Sequence, residues 1–186
     1  MANVRISEDF YRNNPLACRT YIPFASGGIV NLSTRPSGIP GFPAFIGFGC
    51  SEISVNYLDG EINLDEELTN YAFPVVKTTK IDSLVASFSN SPINSFGRCS
   101  VTVCAQLFYA DKNNNIFRPI EETLLKLEPS YNDKLSGAII SFAKKEEINV
   151  TLLPGSRILL VFFLKAEKKC GATEIEGYPS AGLIII

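Results

Sequence analysis

Ser156-Arg157-Ile158-Leu159-Leu160-Val161-Phe162-Phe163-Leu164-Lys165, entered through Leu153-Pro154-Gly155, decides the fold class of this chain. Seven successive apolar residues, mostly branched or aromatic and opened by a Pro-Gly turn, are too few to span a membrane and suit a strand covered on both faces. Side chains alternate across a strand, so Ile158, Leu160, Phe162 and Leu164 point one way and Leu159, Val161 and Phe163 the other. The first set is expected to face the protein's own core. The second shares its face with Arg157 and Lys165 and is expected to face another sheet or another subunit. One face of an antiparallel sheet is usually solvated and polar, so a doubly apolar strand argues for oligomerisation.

Working outward, short strand signals alternate with turn signals along nearly the whole chain. Tyr21-Ile22-Pro23-Phe24 opens the ordered texture, and a loop rich in Gly, Pro and Ser runs to Gly41. Strands are expected over 43–49 and 52–58, the latter with Ile53, Val55 and Tyr57 on one face. Further strands are expected over 70–76 and 79–89, where Ile81, Leu84, Val85 and Phe88 break strict alternation and mark a bulge. Residues 98–109 form a long strand with Val101, Val103, Ala105 and Leu107 on one side, and a polar turn at 111–115 closes a hairpin to 116–120. Strands centred on 123–127, 138–142 and 148–152 precede the central one. The chain ends on Leu183-Ile184-Ile185-Ile186, which reads as a buried or paired strand. With no amphipathic helix, the pattern predicts an all-β antiparallel sandwich of jelly-roll type, with about 8–10 strands over residues 20–186 behind a short N-terminal arm, residues 1–19.

Composition excludes several function classes. The formal net charge is -2 with no block of like charges, which disfavours nucleic-acid and anionic-membrane partners. The chain has no histidine, so Ser-His and Cys-His dyads are impossible. The acid pairs Glu121-Glu122 and Glu146-Glu147 sit beside turns, where carboxylates are solvated. Asp111, Asn113, Asn115 and Glu122 imitate calcium-loop spacing, but Ile116 stands where that loop needs glycine, and a polar hairpin turn accounts for the same residues. No cofactor or metal is expected. Five cysteines leave at least one thiol unpaired within a monomer. Their spacing is not that of a zinc site, and Cys99 and Cys104 lie on opposite strand faces. Cys18, Cys50 and Cys170 are the candidates for cross-links between chains. The first ten residues carry acids where a secretory leader has its apolar core, so synthesis without a signal peptide is expected.

Taken as an ordered set, Tyr21-Ile22-Pro23-Phe24-Ala25-Ser26-Gly27, Gly47-Phe48-Gly49, Val101 to Tyr109 followed by Asn113 to Pro119, Arg157 to Phe162, and Gly177-Tyr178-Pro179-Ser180-Ala181-Gly182-Leu183 resemble the C-terminal domain of BclB-related exosporium glycoproteins, which are surface proteins of bacterial endospores. The resemblance extends over about residues 20–186. It implies a trimer-forming jelly roll similar to tumour-necrosis-factor-like heads, made in the mother-cell cytoplasm and placed on the spore surface. That family's head follows Gly-x-y repeats; here only a 19-residue arm precedes it, which points to cross-linking or arm docking in place of a stalk.

The reading is therefore a non-enzymatic structural protein of the spore surface, in the exosporium, an appendage or a surface layer. It assembles with itself, as trimers or higher assemblies, and with other spore-surface proteins. Leu159, Val161, Phe163, Leu183 and Ile185 are the expected oligomer interface. The alternative is an adhesive or carbohydrate-binding head, using Tyr57, Tyr71, Tyr131 and Tyr178 near turns to stack on sugars.

Overall fold

The computed structural model describes residues 19–66, 70–91, 99–132, 137–167 and 170–186. Among these the chain forms β1 (Thr20–Ala25), β2 (Val30–Ser33), β3 (Ala44–Ile46), β4 (Ser51–Ile53), β5 (Ile62–Asn63), β6 (Phe73–Pro74), β7 (Thr79–Asn90), β8 (Val101–Ala110), β9 (Ile116–Pro119), β10 (Leu125–Lys126), β11 (Ile140–Lys145), β12 (Val150–Leu152), β13 (Arg157–Ala166) and β14 (Glu174–Ile185). The expected arm lies outside the described residues except for Arg19, and so does Cys18.

Two antiparallel sheets face each other. One has the order β1-β14-β7-β11, with β2 and β12 added at its ends, and the other runs β4-β3-β13-β8-β9-β5, with β6 and β10 added. Among the eight principal strands the partners are nested: β1 pairs β14, β3 pairs β13, β7 pairs β11 and β8 pairs β10. A long hairpin folded back on itself twice gives that nesting, so the chain is a jelly roll. β13 does enter through a turn, with Gly155 at φ 85°, a conformation that costs glycine nothing.

The core between the sheets takes one face of each principal strand. Ile158, Leu160, Phe162 and Leu164 of β13 meet Val101, Val103, Ala105 and Leu107 of β8 there, with Leu84, Ala86 and Phe88 of β7 and Leu183 of β14 opposite. Gly177 passes beneath the Phe88 ring so closely that a Cβ would lie 2.5 Å from it, which accounts for a glycine inside a central strand. The broken alternation in β7 is a bulge. Ile184 pairs with Ser83 and Ile185 with Ile81, leaving Asp82 as the extra residue.

The expected strand over 52–58 is cut short. β4 ends at Ile53, because the Ser54 hydroxyl accepts from the Asn56 N–H (3.0 Å) and donates to the Asn56 carbonyl (2.9 Å), turning the chain. Val55 and Tyr57 are consequently exposed. The C-terminal strand is longer than expected. Tyr178-Pro179-Ser180-Ala181-Gly182, ahead of the expected Leu183–Ile186, already lies in β14, paired with β7 throughout and with β1 from Ser180.

Candidate functional site: an uncovered sheet face

The second apolar set of β13 does not face another subunit. Leu159, Val161 and Phe163 are buried within the chain under a separate apolar cluster, in which Phe45, Leu58, Ile62, Leu64, Phe108 and Phe117 close over them. The cover consists of β5, β9 and the residues leading into β5, held by Ile62 opposite Phe117 and by the Leu64 N–H bonding the Asn115 carbonyl at 3.0 Å. The two flanking cations sit over aromatic rings of this layer, Arg157 above Phe117 at 5.1 Å and Lys165 above Phe163 at 5.4 Å. Arg157 also donates to the Asn114 carbonyl and, at 2.5 Å, to Asn115 Oδ1. The Asn114 carbonyl and Asn115 Oδ1 of the calcium-like turn thus accept from the chain itself, as does Asn114 Oδ1, from the Ile116 N–H at 2.8 Å.

The uncovered apolar face belongs to the other sheet. Leu183 and Ile185 were expected at the interface, but their parity points them to the core side: Leu183 is 1% exposed, and Ile185 packs against the same cluster. Their neighbours point outward. Register places Ala25, Ser180, Ser87 and Phe142 in one row across the sheet, and Pro23, Gly182, Val85 and Lys144 in the next. Tyr178, Ser89 and Ile140 form a third row, and Tyr21, Ile184 and Ser83 a fourth. Tyr21 and Ile140 are each 64% exposed, Phe142 52% and Tyr178 49%. Among the described residues charges stand at the rim of this face: Lys144, paired with Glu146 at 2.6 Å, on the β11 edge, Arg19 and Asp82 (3.7 Å) at one end, and Glu174 and Glu176 on the β14 segment beside β2. Four strands about 4.8 Å apart and some six residues long make it roughly 20 Å on a side. Small residues, Ser180, Gly182 and Ser87, occupy its middle, so another surface can approach closely.

A groove lies along the edge of β1 from Thr20 to Pro23, short of Ala25, whose N–H and carbonyl on that side are bonded to Gly47 and Gly49 at 3.0 Å. It has a volume of about 430 Å³ and runs between β1 with Ile185 and Ile186 on one side and Phe48, Phe73 and Val76 on the other. Phe24, Phe48 and Phe73 form a triangle of rings, Phe48 stacked on Phe24 at 5.7 Å and Phe73 tilted against both at 5.9 Å. Val76 is 91% exposed.

Cys170 is not available for a cross-link between chains, because it is bonded to Cys99. β8 and β13 are partners with Ala166 opposite Val101, so the segments just beyond both strand ends run together. Cys50 is a free, exposed thiol and Cys104 a free, buried one. Burial raises the Cys104 pKa to about 11, against smaller opposing effects of Lys165 and Lys126.

The tyrosines proposed as sugar platforms are dispersed in role. Tyr131 is buried, with its hydroxyl donating to the Phe88 carbonyl at 2.7 Å and bonded to Ser141 Oγ at 2.8 Å. Burial raises its pKa. Tyr71 packs against the second cluster, and Tyr57 is stacked on Phe42 at 4.5 Å with the Arg35 guanidinium 4.9 Å above it. Tyr178 lies on the uncovered sheet face.

The chain is thus a jelly-roll sandwich with one layered, closed side and one bare side. No protein-family model and no curated protein matches it. Among solved structures it is similar to the Eiger TNF of S. frugiperda, at 10% identity over 89% of this chain and 92% of that one, with a TM-score of 0.38. It is also similar to infectious bursal disease virus of the Gt strain (7% identity, TM-score 0.40) and to T=1 particles derived from that virus (8%, TM-score 0.40). In both viral cases 91% of this chain is covered but only 32% of the other. The chain spans about a third of those viral chains. The fold assignment stands on the strand pairing itself.

Proposed function

We propose that this is a non-enzymatic structural protein that assembles with copies of itself through the outer face of the β1-β14-β7-β11 sheet. The observation that carries the reading is that face: an antiparallel sheet exposed to water, with Tyr21, Tyr178, Ile140 and Phe142 standing on it and no charge in its centre. A second copy fits because the face is neutral in the middle and meets no like charge there, and because its small central residues let another sheet pack close. The family-like string of the sequence supports a trimer as the unit and the endospore surface as the place. Native mass by light scattering, with negative-stain microscopy, tests this. Discrete trimers or larger ordered assemblies are expected, and a protein that stays monomeric at high concentration would exclude it.

A sheet face of roughly 400 Å² is about half of what each partner buries in a standard stable interface. Assembly through it therefore needs further contact area from elsewhere on the chain.

A further inference from the structure

We infer that the apolar groove beside β1 receives the N-terminal arm of a second copy, resting on the self-assembly reading and supplying the contact area that the sheet face lacks. β1 is the edge of its sheet, with β14 as its only strand neighbour among the described residues. The groove is open along that edge, and Val76 and Phe48 project from its far wall into solvent. At its Ala25 end that edge is closed by main-chain bonds to Gly47 and Gly49, and Pro23 offers no N–H, so an extended peptide docks beside Thr20–Pro23 chiefly by seating alternate side chains in the apolar slot, with main-chain pairing confined to the Tyr21 end.

The chain supplies such a peptide. Eighteen residues precede Arg19, enough to reach about 60 Å when extended. Val4-Arg5-Ile6-Ser7 alternates apolar and polar, Phe10 and Tyr11 follow, and Asn13-Asn14-Pro15 separates this stretch from β1. Glu8 and Asp9 lie within the stretch, and Lys77 is part of the groove lining. The arm's departure favours a neighbour over its own groove. Arg19, the first described residue, is paired with Asp82 on β7 at the end of the face through which copies are proposed to meet, so the arm is rooted beside that contact. Because donor and acceptor surfaces differ, the contact is head-to-tail and propagates unless its rotation closes a ring.

Amide hydrogen exchange on the full-length protein, below and above the concentration at which it assembles, tests this directly. Residues 4–11 are expected to exchange freely in the dilute protein and to gain protection of at least about tenfold on assembly. Val76→Glu and Lys77→Glu change exposed side chains of the groove lining, leave the core intact, and are each expected to lose that protection and lower the assembled mass, the second by setting a like charge against Glu8 and Asp9. An arm that stays unprotected in the assembly, or protection unaffected by both variants, overturns the proposal while self-assembly through the sheet face stands. Protection already present in the dilute monomer also overturns it, because the arm then lies in its own groove. No assembly at any concentration removes the functional reading itself.

Discussion

Ser87 Oγ and Ser180 Oγ lie 2.8 Å apart, side by side on β7 and β14 at the middle of the uncovered sheet face. One hydroxyl donates to the other, so covering the pair leaves a single O–H to find an acceptor across the contact. A charge in that place is different. Ser180→Glu would put a carboxylate between Ala25 and Ser87 in the contact, with no cation in its row. An unpaired charge buried by association costs several kcal/mol, which weakens assembly about a thousandfold or more. Light scattering is expected to show monomers at concentrations where the parent protein assembles, with an unchanged circular dichroism spectrum. Ser180→Ala is expected to assemble normally.

Tyr131 ties the two sheets together. Its backbone N–H bonds the Val101 carbonyl of one sheet at 2.8 Å, and its hydroxyl reaches Phe88 and Ser141 in the other. Tyr131→Phe keeps the ring edge-on to Phe88 (6.1 Å) but removes the acceptor of the Ser141 N–H (3.2 Å) and leaves the Ser141 hydroxyl and the Phe88 carbonyl only their long bond to each other (3.5 Å). A loss of about 1–3 kcal/mol in urea unfolding is expected, with the urea dependence unchanged. A loss below about 0.5 kcal/mol would show that these groups find other partners.

What the sequence makes legible follows from periodicity. β8 alternates, with Val101, Val103, Ala105 and Leu107 on one side, and in the continuously apolar β13 the flanking Arg157 and Lys165 mark one face off from the other, so core-facing residues of both can be named without a structure, and the phase break in β7 reveals its bulge. The partner of the second β13 face is hidden for a physical reason: its cover comes from Leu58, Ile62 and Leu64, spaced irregularly among acids, on a strand of only two residues. The bare face is hidden because much of it is serine, glycine and alanine, which carry no hydropathy signal. Leu183 to Ile186 does betray it, since an apolar residue at every position means that both faces of that strand avoid water. Sequence parity alone cannot tell which of the two faces is covered from within the chain. The Cys99–Cys170 bond is legible only once β8 is set beside β13, because the two cysteines are 71 residues apart.

That bond closes a long loop and stabilises the fold mainly by restricting the unfolded chain. For a loop of this size the chain-entropy estimate is about 4 kcal/mol, and typical measured values are about 2–4. Cys99→Ser, or reduction of the parent protein, is expected to lower the melting temperature by roughly 5–15 °C. Non-reducing peptide mapping should recover one peptide pair joining Cys99 to Cys170, and the assembled mass should not depend on that bond because it lies within one chain. A Cys170 found linked to another chain would contradict the assignment.

Stability should fall in alkali, and Cys104 sets much of the window. Its thiol ordinarily titrates near 9.0 and is held at about 11 in the folded protein by burial. Between those values the unfolded chain has released the proton while the folded chain still holds it, so the unfolded state binds fewer protons and stability declines as pH rises. The decline amounts to about 2–3 kcal/mol across pH 9 to 11 and ends once the folded thiol also ionises. Tyr131, also raised by burial, adds a loss of the same sign above its ordinary value of 10.0. Urea midpoints measured from pH 7 to 11 are expected to drop steeply above pH 9 in the parent protein. In Cys104→Ala they should fall later and less, leaving the tyrosine contribution. If both proteins lose stability in parallel from pH 9 upward, Cys104 is not the group that carries the alkaline transition.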